Sequence, residues 1–296
     1  MRIVIVGSGS QGNTTIFESA GTRILVDAGL SVRALRKRLR ELGEPETGFS
    51  GIVITHSHSD HIQHANRWAT VLEAPLYATA VTQQRGQKFF GEHSVRTLPP
   101  RSKGKIGNLT VRTFPLPHDA PQIGVVVEGG GTQAAIVTDL GFIPESLPAR
   151  LAGCTTVLLE SNHCPEMLEY APYPDFLKDR IRSNRGHLSN EQSASILPHL
   201  PDLKRLVLMH LSEKANSPRR ARAVAEAALG NRTDVELLVA HQSRSMVLEP
   251  LRLTRTTVFA VPESNLAAKP APPDATPNAA PCSADEPPTA QLGFGF

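Results

Sequence analysis

The run His56-Ser57-His58-Ser59-Asp60-His61, at the end of the apolar stretch Gly51–Thr55, constrains this chain more than any other feature. Three imidazoles and a carboxylate within six residues cost stability unless something pairs with them. On an extended segment His56 and His58 project to the same side and can grip one ion. Asp60 and His61, where the chain turns toward a helix, can face a second ion beside it. Imidazole nitrogen and carboxylate oxygen suit a divalent cation such as zinc or manganese, and two cations roughly 3.5–4 Å apart can share a hydroxide. The plain alternative is a polar turn with locally satisfied histidines. Chance occurrence of this pattern behind an apolar strand is very low.

Such a site needs ligands from elsewhere, and three candidates stand at the ends of predicted strands. They are His118 in Pro115-Leu116-Pro117-His118-Asp119, Asp139 in Ile136-Val137-Thr138-Asp139 and His210 in Val207-Leu208-Met209-His210. Singly, each reads equally well as a capping or surface group; together with the first cluster they complete two metal shells. His64, His93, His199 and His241 fall in no comparable pattern and are expected at the surface or in local hydrogen bonds.

The order of elements agrees with a sheet-edge site. Ile3–Val6, Thr14–Glu18 and Arg23–Asp27 are β-rich runs joined by short turns, hence antiparallel. Ser31–Leu42 is an amphipathic helix with Ser31 as N-cap, and Ile62–Leu72 reads as helical. Further strands are expected at 76–78, 109–114, 124–128, 133–138, 156–160, 205–210 and 235–240, and helices at 80–90, 173–182, 189–197 and 218–229. Two sheets with helices on their outer faces satisfy that order. Gly7-Ser8-Gly9-Ser10-Gln11-Gly12 matches the dinucleotide fingerprint, but β-branched and aromatic residues follow where that motif requires a helix. A nicotinamide or flavin site is therefore rejected.

Of the 296 residues, Pro262–Phe296 holds eight prolines and eight alanines, too little apolar bulk to offset its ordering entropy. The expected organisation is one α/β domain over residues 1–261 and a disordered tail over 262–296. The tail carries −3 of a net +3, which leaves +6 on the domain, with arginine clusters at 33–40, 180–185 and 219–222. That surplus favours an anionic partner as much as it does solvated helix faces. No apolar run is long enough for a membrane span. Cys154, Cys164 and Cys282 are unpatterned and odd in number, which points to the cytoplasm and to buried or incidental thiols.

The H-x-H-x-D-H run resembles the signature of the metallo-β-lactamase superfamily of binuclear metallohydrolases. Gly7–Asn13, Val26-Asp27-Ala28-Gly29-Leu30, Thr138-Asp139-Leu140-Gly141, Glu160-Ser161-Asn162-His163 and Arg185-Gly186-His187-Leu188-Ser189-Asn190 narrow the resemblance to the YycJ/WalJ branch of DNA exonucleases, related to ribonuclease Z. Ser57 and Ser59 depart from the branch, which often has a glutamate after the first histidine. The resemblance implies an αββα sandwich and two divalent metal ions. It implies that His56, His58 and His118 hold the first, that Asp60, His61 and His210 hold the second, and that Asp139 bridges. Asp27 would support the ligands from behind, while His187 and Glu160 would protonate the leaving oxygen, with Asp60 in the catalytic group; His163 receives no role. The expected reaction is phosphodiester hydrolysis, most simply by a DNA exonuclease of repair or replication. Alternatives are an RNA-processing or small-phosphodiester hydrolase, a lactonase- or glyoxalase-type hydrolase, and a non-enzymatic DNA-binding protein. The last six residues place Gln291, Leu292, Phe294 and Phe296 in a pattern similar to peptides that bind the bacterial sliding clamp.

Overall fold

A computed structural model describes residues 1–251. The expected tail from Pro262, its terminal peptide Gln291–Phe296 and residues 252–261 lie outside the described residues. Among those described, fourteen strands occur: β1 (Arg2–Gly7), β2 (Thr14–Ser19), β3 (Thr22–Val26), β4 (Gly51–Ile54), β5 (Leu76–Ala78), β6 (Val95–Thr97), β7 (Lys103–Ile106), β8 (Leu109–Leu116), β9 (Gln122–Gly129), β10 (Thr132–Val137), β11 (Thr156–Glu160), β12 (Arg205–Met209), β13 (Glu236–Val239) and β14 (Met246–Leu248). They form two seven-stranded sheets, ordered β14-β1-β2-β3-β4-β5-β6 and β13-β12-β11-β10-β9-β8-β7. Each is mixed: β1 to β3 and β7 to β10 pair antiparallel, whereas β3 to β6 and β10 to β13 pair parallel.

Side-chain alternation explains why the sheets stack. On β1, Ile3 and Ile5 join a cluster with Val111, Val125, Ile136 and Val207 of the other sheet. Val4 and Val6 face the opposite way and pack with Leu35, Leu39 and Trp68. The second sheet does the same, turning Val157, Leu159 and Leu206 toward Leu147, Ala221 and Ala225 on its own outer face. Strands buried on both faces read as continuous apolar runs, as β1, β4, β11 and β12 do. The two sheets with helices outside are the expected αββα sandwich.

Several elements differ from the sequence reading. The helix expected over 80–90 is two, Ala80–Arg85 and Gln87–Phe90, separated at Gly86, and that over 62–72 is Ser59–Ile62 followed by Ala65–Leu72. The 189–197 segment is helical over Asn190–Ala194 and closes in a 3-10 turn at Leu197–His199. β6, β7 and β14 and the helices Leu147–Leu151 and Pro165–Tyr170 carry too few residues for a legible period. Ser31 does cap Val32–Glu41, accepting the Ala34 N–H at 3.2 Å. The glycine loop leads into β2, antiparallel to β1, with no helix between them.

Candidate metal centre

Most of the sequence-selected residues leave strands at one edge of the sandwich, while Asp60 and His61 sit on the short helix Ser59–Ile62 that follows β4. Asp27 follows β3, His56 follows β4, His118 lies just beyond β8, Asp139 beyond β10 and His210 beyond β12, and Glu160 ends β11. Asp27, Asp139 and His210 have φ of 66°, 59° and 56°, a left-handed conformation uncommon outside glycine. Three strand exits thus turn sharply at the site, which aims these side chains across the edge and not along it.

The donor atoms converge in sets. His56, His58 and His118 form one group; Asp60, His61, Asp139 and His210 form another; Asp139, Glu160, His187 and His210 form a third that shares two members with it. In the first, His58 Nδ1 lies 3.1 Å from His56 Nε2 and 3.2 Å from His118 Nε2. Ligand nitrogens at about 2.0–2.1 Å from one tetrahedral zinc would stand about 3.3 Å apart, so the spacing fits an ion. In the second, Asp60 Oδ2 is 3.3 Å from both His61 Nε2 and His210 Nε2, and Asp139 Oδ2 is 3.1 Å from His61 Nε2. Asp139 Oδ2 is buried and makes no well-aligned hydrogen bond among the described residues, only the 3.1 Å approach of His61 Nε2, so a cation there would satisfy it. Asp139 stands with the second and third sets rather than with the histidine triad.

Each imidazole is also held from behind. His56 Nδ1 meets Thr55 Oγ1 at 3.0 Å, and that hydroxyl donates to Asp27. His61 Nδ1 donates to Asp27 Oδ2 at 2.7 Å, His118 Nδ1 to the Gly186 carbonyl at 3.0 Å, and His210 Nδ1 to Glu160 Oε1 at 3.2 Å. His58 uses its other nitrogen, with Nε2 3.1 Å from Asp119 Oδ1. With the outward nitrogen carrying the proton in each ring, the inward lone pair is left for a metal. This arrangement is the strongest local evidence that the groups fit cations.

Charge follows the same division. Burial, joined by the neighbouring histidines, pushes His56 well below its usual range, and burial likewise lowers His58 and His118, so these rings are neutral. Burial opposes charge on His61 too, yet Asp139, Asp60 and Asp27 outweigh it and raise the ring well above the usual range. His210 is raised to about 10 against its burial, chiefly by Asp139. Burial favours a neutral Asp139 and Asp60, but the adjacent His210 and His61 hold both carboxyls low. Protons on His61 and His210 therefore balance the carboxylates, and a cation would displace them.

His187 lines a cleft of about 420 Å³ together with Ser10, His58, Asp60, Asp139 and His210. Its Nδ1 bonds to Glu160 Oε1 at 2.8 Å, while Glu160 Oε2 accepts the Leu140 and Leu188 amides at 3.1 and 3.0 Å. Burial works against the charged form of Glu160, but His187 prevails and holds the carboxyl down to about 2. His163 is buried, lowered to about 4 by that burial, and acts through its backbone: its carbonyl accepts the Asn190 N–H at 2.8 Å. It thereby pins the segment that presents His187.

Beyond Asp27, sequence reasoning missed the supports. Asn13 donates its backbone N–H to the Asp60 carbonyl at 2.8 Å and its Nδ2 to Asp60 Oδ2 at 3.2 Å, so the rejected dinucleotide loop is a brace for the candidate ligands. Ser8 Oγ accepts the His210 amide at 2.8 Å, and Asn162 Nδ2 donates to the His210 carbonyl at 2.8 Å. Asp119 links His58 to Arg180, whose Nη2 lies 2.6 Å away. Asn13 and Asn162 sit inside runs already singled out; Asp119 had only its place beside His118 as a signal. Gly29 has a visible cause as well, since a Cβ there would lie 1.8 Å from the Asp60 carbonyl oxygen. His93, His199 and His241 are outside the donor sets, as is His64, and Cys154 and Cys164 are buried and unbridged. No helix among the described residues is long and apolar enough to cross a membrane.

Residues 22–211 match the β-lactamase superfamily domain. The exodeoxyribonuclease YycJ of Bacillus anthracis is 31% identical over 229 residues, covering 74% of this chain and 85% of that protein. The exodeoxyribonuclease WalJ of Streptococcus pneumoniae is 32% identical over 221 residues, covering 72% and 82%. Among solved structures, the metallo-β-lactamase fold protein YhfI of Bacillus subtilis superposes with a TM-score of 0.66 at 16% identity, covering 84% of this chain and 99% of that one, a likeness of fold.

Proposed function

We propose that this chain, a metal-dependent hydrolase belonging to the β-lactamase superfamily, uses two divalent cations to cleave phosphodiesters and acts on DNA as an exonuclease in repair or replication. The carrying observation is His187 on Glu160 at the wall of the cleft, 2.8 Å apart. A departing sugar oxygen needs a proton, and an imidazole steadied by a buried carboxylate supplies one. Thioester cleavage, whose thiolate departs without a proton, has less use for such a donor. The two exodeoxyribonuclease relatives support DNA as the polymer.

In this reading His56, His58 and His118 would hold one cation, and Asp60, His61, Asp139 and His210 would hold the other. Zinc or manganese bound there supplies Lewis-acid charge and water that ionises near neutral pH. Asp27, Thr55, Gly186, Asp119 and Glu160 hold the rings in place, which preorganises them for cations. Glu160 keeps His187 Nδ1 engaged and leaves the opposite ring nitrogen to carry the proton toward the leaving group.

Metal-loaded protein incubated with end-labelled duplex DNA, structured RNA and bis(p-nitrophenyl) phosphate tests this. Stepwise shortening of DNA from an end is expected. Preference for RNA would move the assignment to RNA processing, and lactone or thioester hydrolysis without phosphodiesterase activity would overturn it. The three unpatterned cysteines favour a cytoplasmic setting. The peptide Gln291–Phe296 supports a tether to the sliding clamp by its sequence alone. Its deletion should abolish binding to purified clamp and spare hydrolysis, and equal affinity of both forms would refute the tether.

A further inference from the structure

We infer that the groove between helices Val32–Glu41 and Ala65–Leu72 is a track for the phosphate backbone of duplex DNA, leading away from the edge that carries His56–His61. The choice of DNA rests on the nuclease reading; the anionic character of the ligand does not. The groove measures about 560 Å³, and Val32 and Val71 line it along with Arg33, Arg36, Lys37, Arg40 and Arg67.

Spacing makes these cations a stripe. Arg33, Arg36, Lys37 and Arg40 fall at i, i+3, i+4 and i+7, the face opposite the buried Leu35 and Leu39. Helix stability does not account for that choice. Arg33 and Arg67 lie in first turns, where the helix dipole favours carboxylates and where neither helix has one. Like charges at 33/37 and 36/40 repel along the same helix. Arg38, by contrast, turns inward and donates to the Val6 carbonyl at 2.7 Å, so it is a packing residue.

Neutralisation is incomplete. Glu46 meets Arg36 at 3.2 Å and Arg40 at 2.5 Å, and Glu41 meets Lys37 at 3.7 Å. Five cations against two carboxylates leave +3, and Arg33 and Arg67 make no ion pair among the described residues. The groove also starts at the right place. Ala28 N–H bonds to the His61 carbonyl at 2.7 Å and His64 N–H to the Ala28 carbonyl at 3.0 Å, which fastens the two helix entries together beside the ligand turn. A ten-residue helix is about 15 Å long, enough for about four phosphates of one strand.

The test uses the full-length, metal-loaded chain and its R33Q/R67Q variant, both changes being on exposed side chains outside the cleft. Binding of a fluorescent duplex with phosphorothioate ends is titrated at several salt concentrations, with K105Q/K204Q as a matched loss of charge. The expected result is a salt slope shallower by about 2, and affinity at least about tenfold weaker at 0.1 M salt, for R33Q/R67Q alone. Hydrolysis of bis(p-nitrophenyl) phosphate should stay unchanged, which reports an intact fold and centre. Affinity and slope matching those of the parent would overturn the track, as would a loss confined to structured RNA. A parent that binds duplex DNA through the groove but hydrolyses none would sink the nuclease reading and leave the track standing. DNA hydrolysis with no difference in binding would do the reverse.

Discussion

Replacing Asp27 by asparagine isolates what a carboxylate does behind the metal ligands. Asp27 Oδ1 accepts the Thr55 N–H at 2.8 Å, both oxygens take the Thr55 hydroxyl at 2.9 and 3.0 Å, and Oδ2 accepts from His61 at 2.7 Å. Asparagine keeps the shape and tolerates φ of 66°, so backbone strain is not introduced, as it would be by alanine. Its carbonyl can still serve Thr55, but its NH2 would then face His61 Nδ1–H, donor against donor. Relief comes by moving the imidazole proton to Nε2, the nitrogen aimed at Asp60 and Asp139. Loss of an outer partner of a ligating histidine lowers metal affinity by roughly 10–100-fold, about 1.4–2.7 kcal/mol. Competition between the protein and a chromophoric chelator for zinc or manganese measures this directly, with circular dichroism to verify folding. Unchanged affinity in a folded Asp27→Asn protein would show that the tautomer argument is wrong.

His187→Ala should lower kcat on DNA by roughly 10²–10⁴-fold while the bound-metal content stays that of the parent, measured by single-turnover assay and elemental analysis. Gly29→Ala drives a methyl into the Asp60 carbonyl and should destabilise by at least about 1–3 kcal/mol, with loss of metal, read from urea midpoints. Glu44 is buried and bonds to Arg2 and Arg23, and its hydrogen bond with Arg2 holds its carboxyl below the usual range. Its contribution is therefore fully present above the ordinary glutamate pKa of about 4.3 and is lost as pH falls through the depressed folded value. Glu44→Gln should cost about 2 kcal/mol at neutral pH, discounted for the partly exposed Arg2, and the gap should close in urea titrations as pH falls through the depressed folded value.

The candidate set was legible because His56, His118, Asp139 and His210 each follow an apolar run, and strand exits gathered at one edge converge by construction of the fold. His56, His58, Asp60, His61, His118, Asp139 and His210 all reach the predicted edge. Apart from Asp27, what holds them was not legible. Asn13, Ser8 and Asn162 act through amides and hydroxyls whose partners lie up to 202 residues away, and no local period records such pairings. The glycine fingerprint shows the same boundary from the other side: the strand expected after it is there as β2, yet the sequence offered no hint that the loop braces Asp60. Short elements escaped for a simpler reason, since three-residue strands such as β6 and β14 draw their identity from a neighbour's backbone.

The donor groups come from both halves of the sandwich: Asp60 and the 56, 58 and 61 histidines from the first sheet's side, His118, Asp139 and His210 from the second. Cations held there would rivet the seam between the layers. Prising the layers apart must then also eject the ions, so thermal resistance should climb with the logarithm of free metal and slump on adding a chelator.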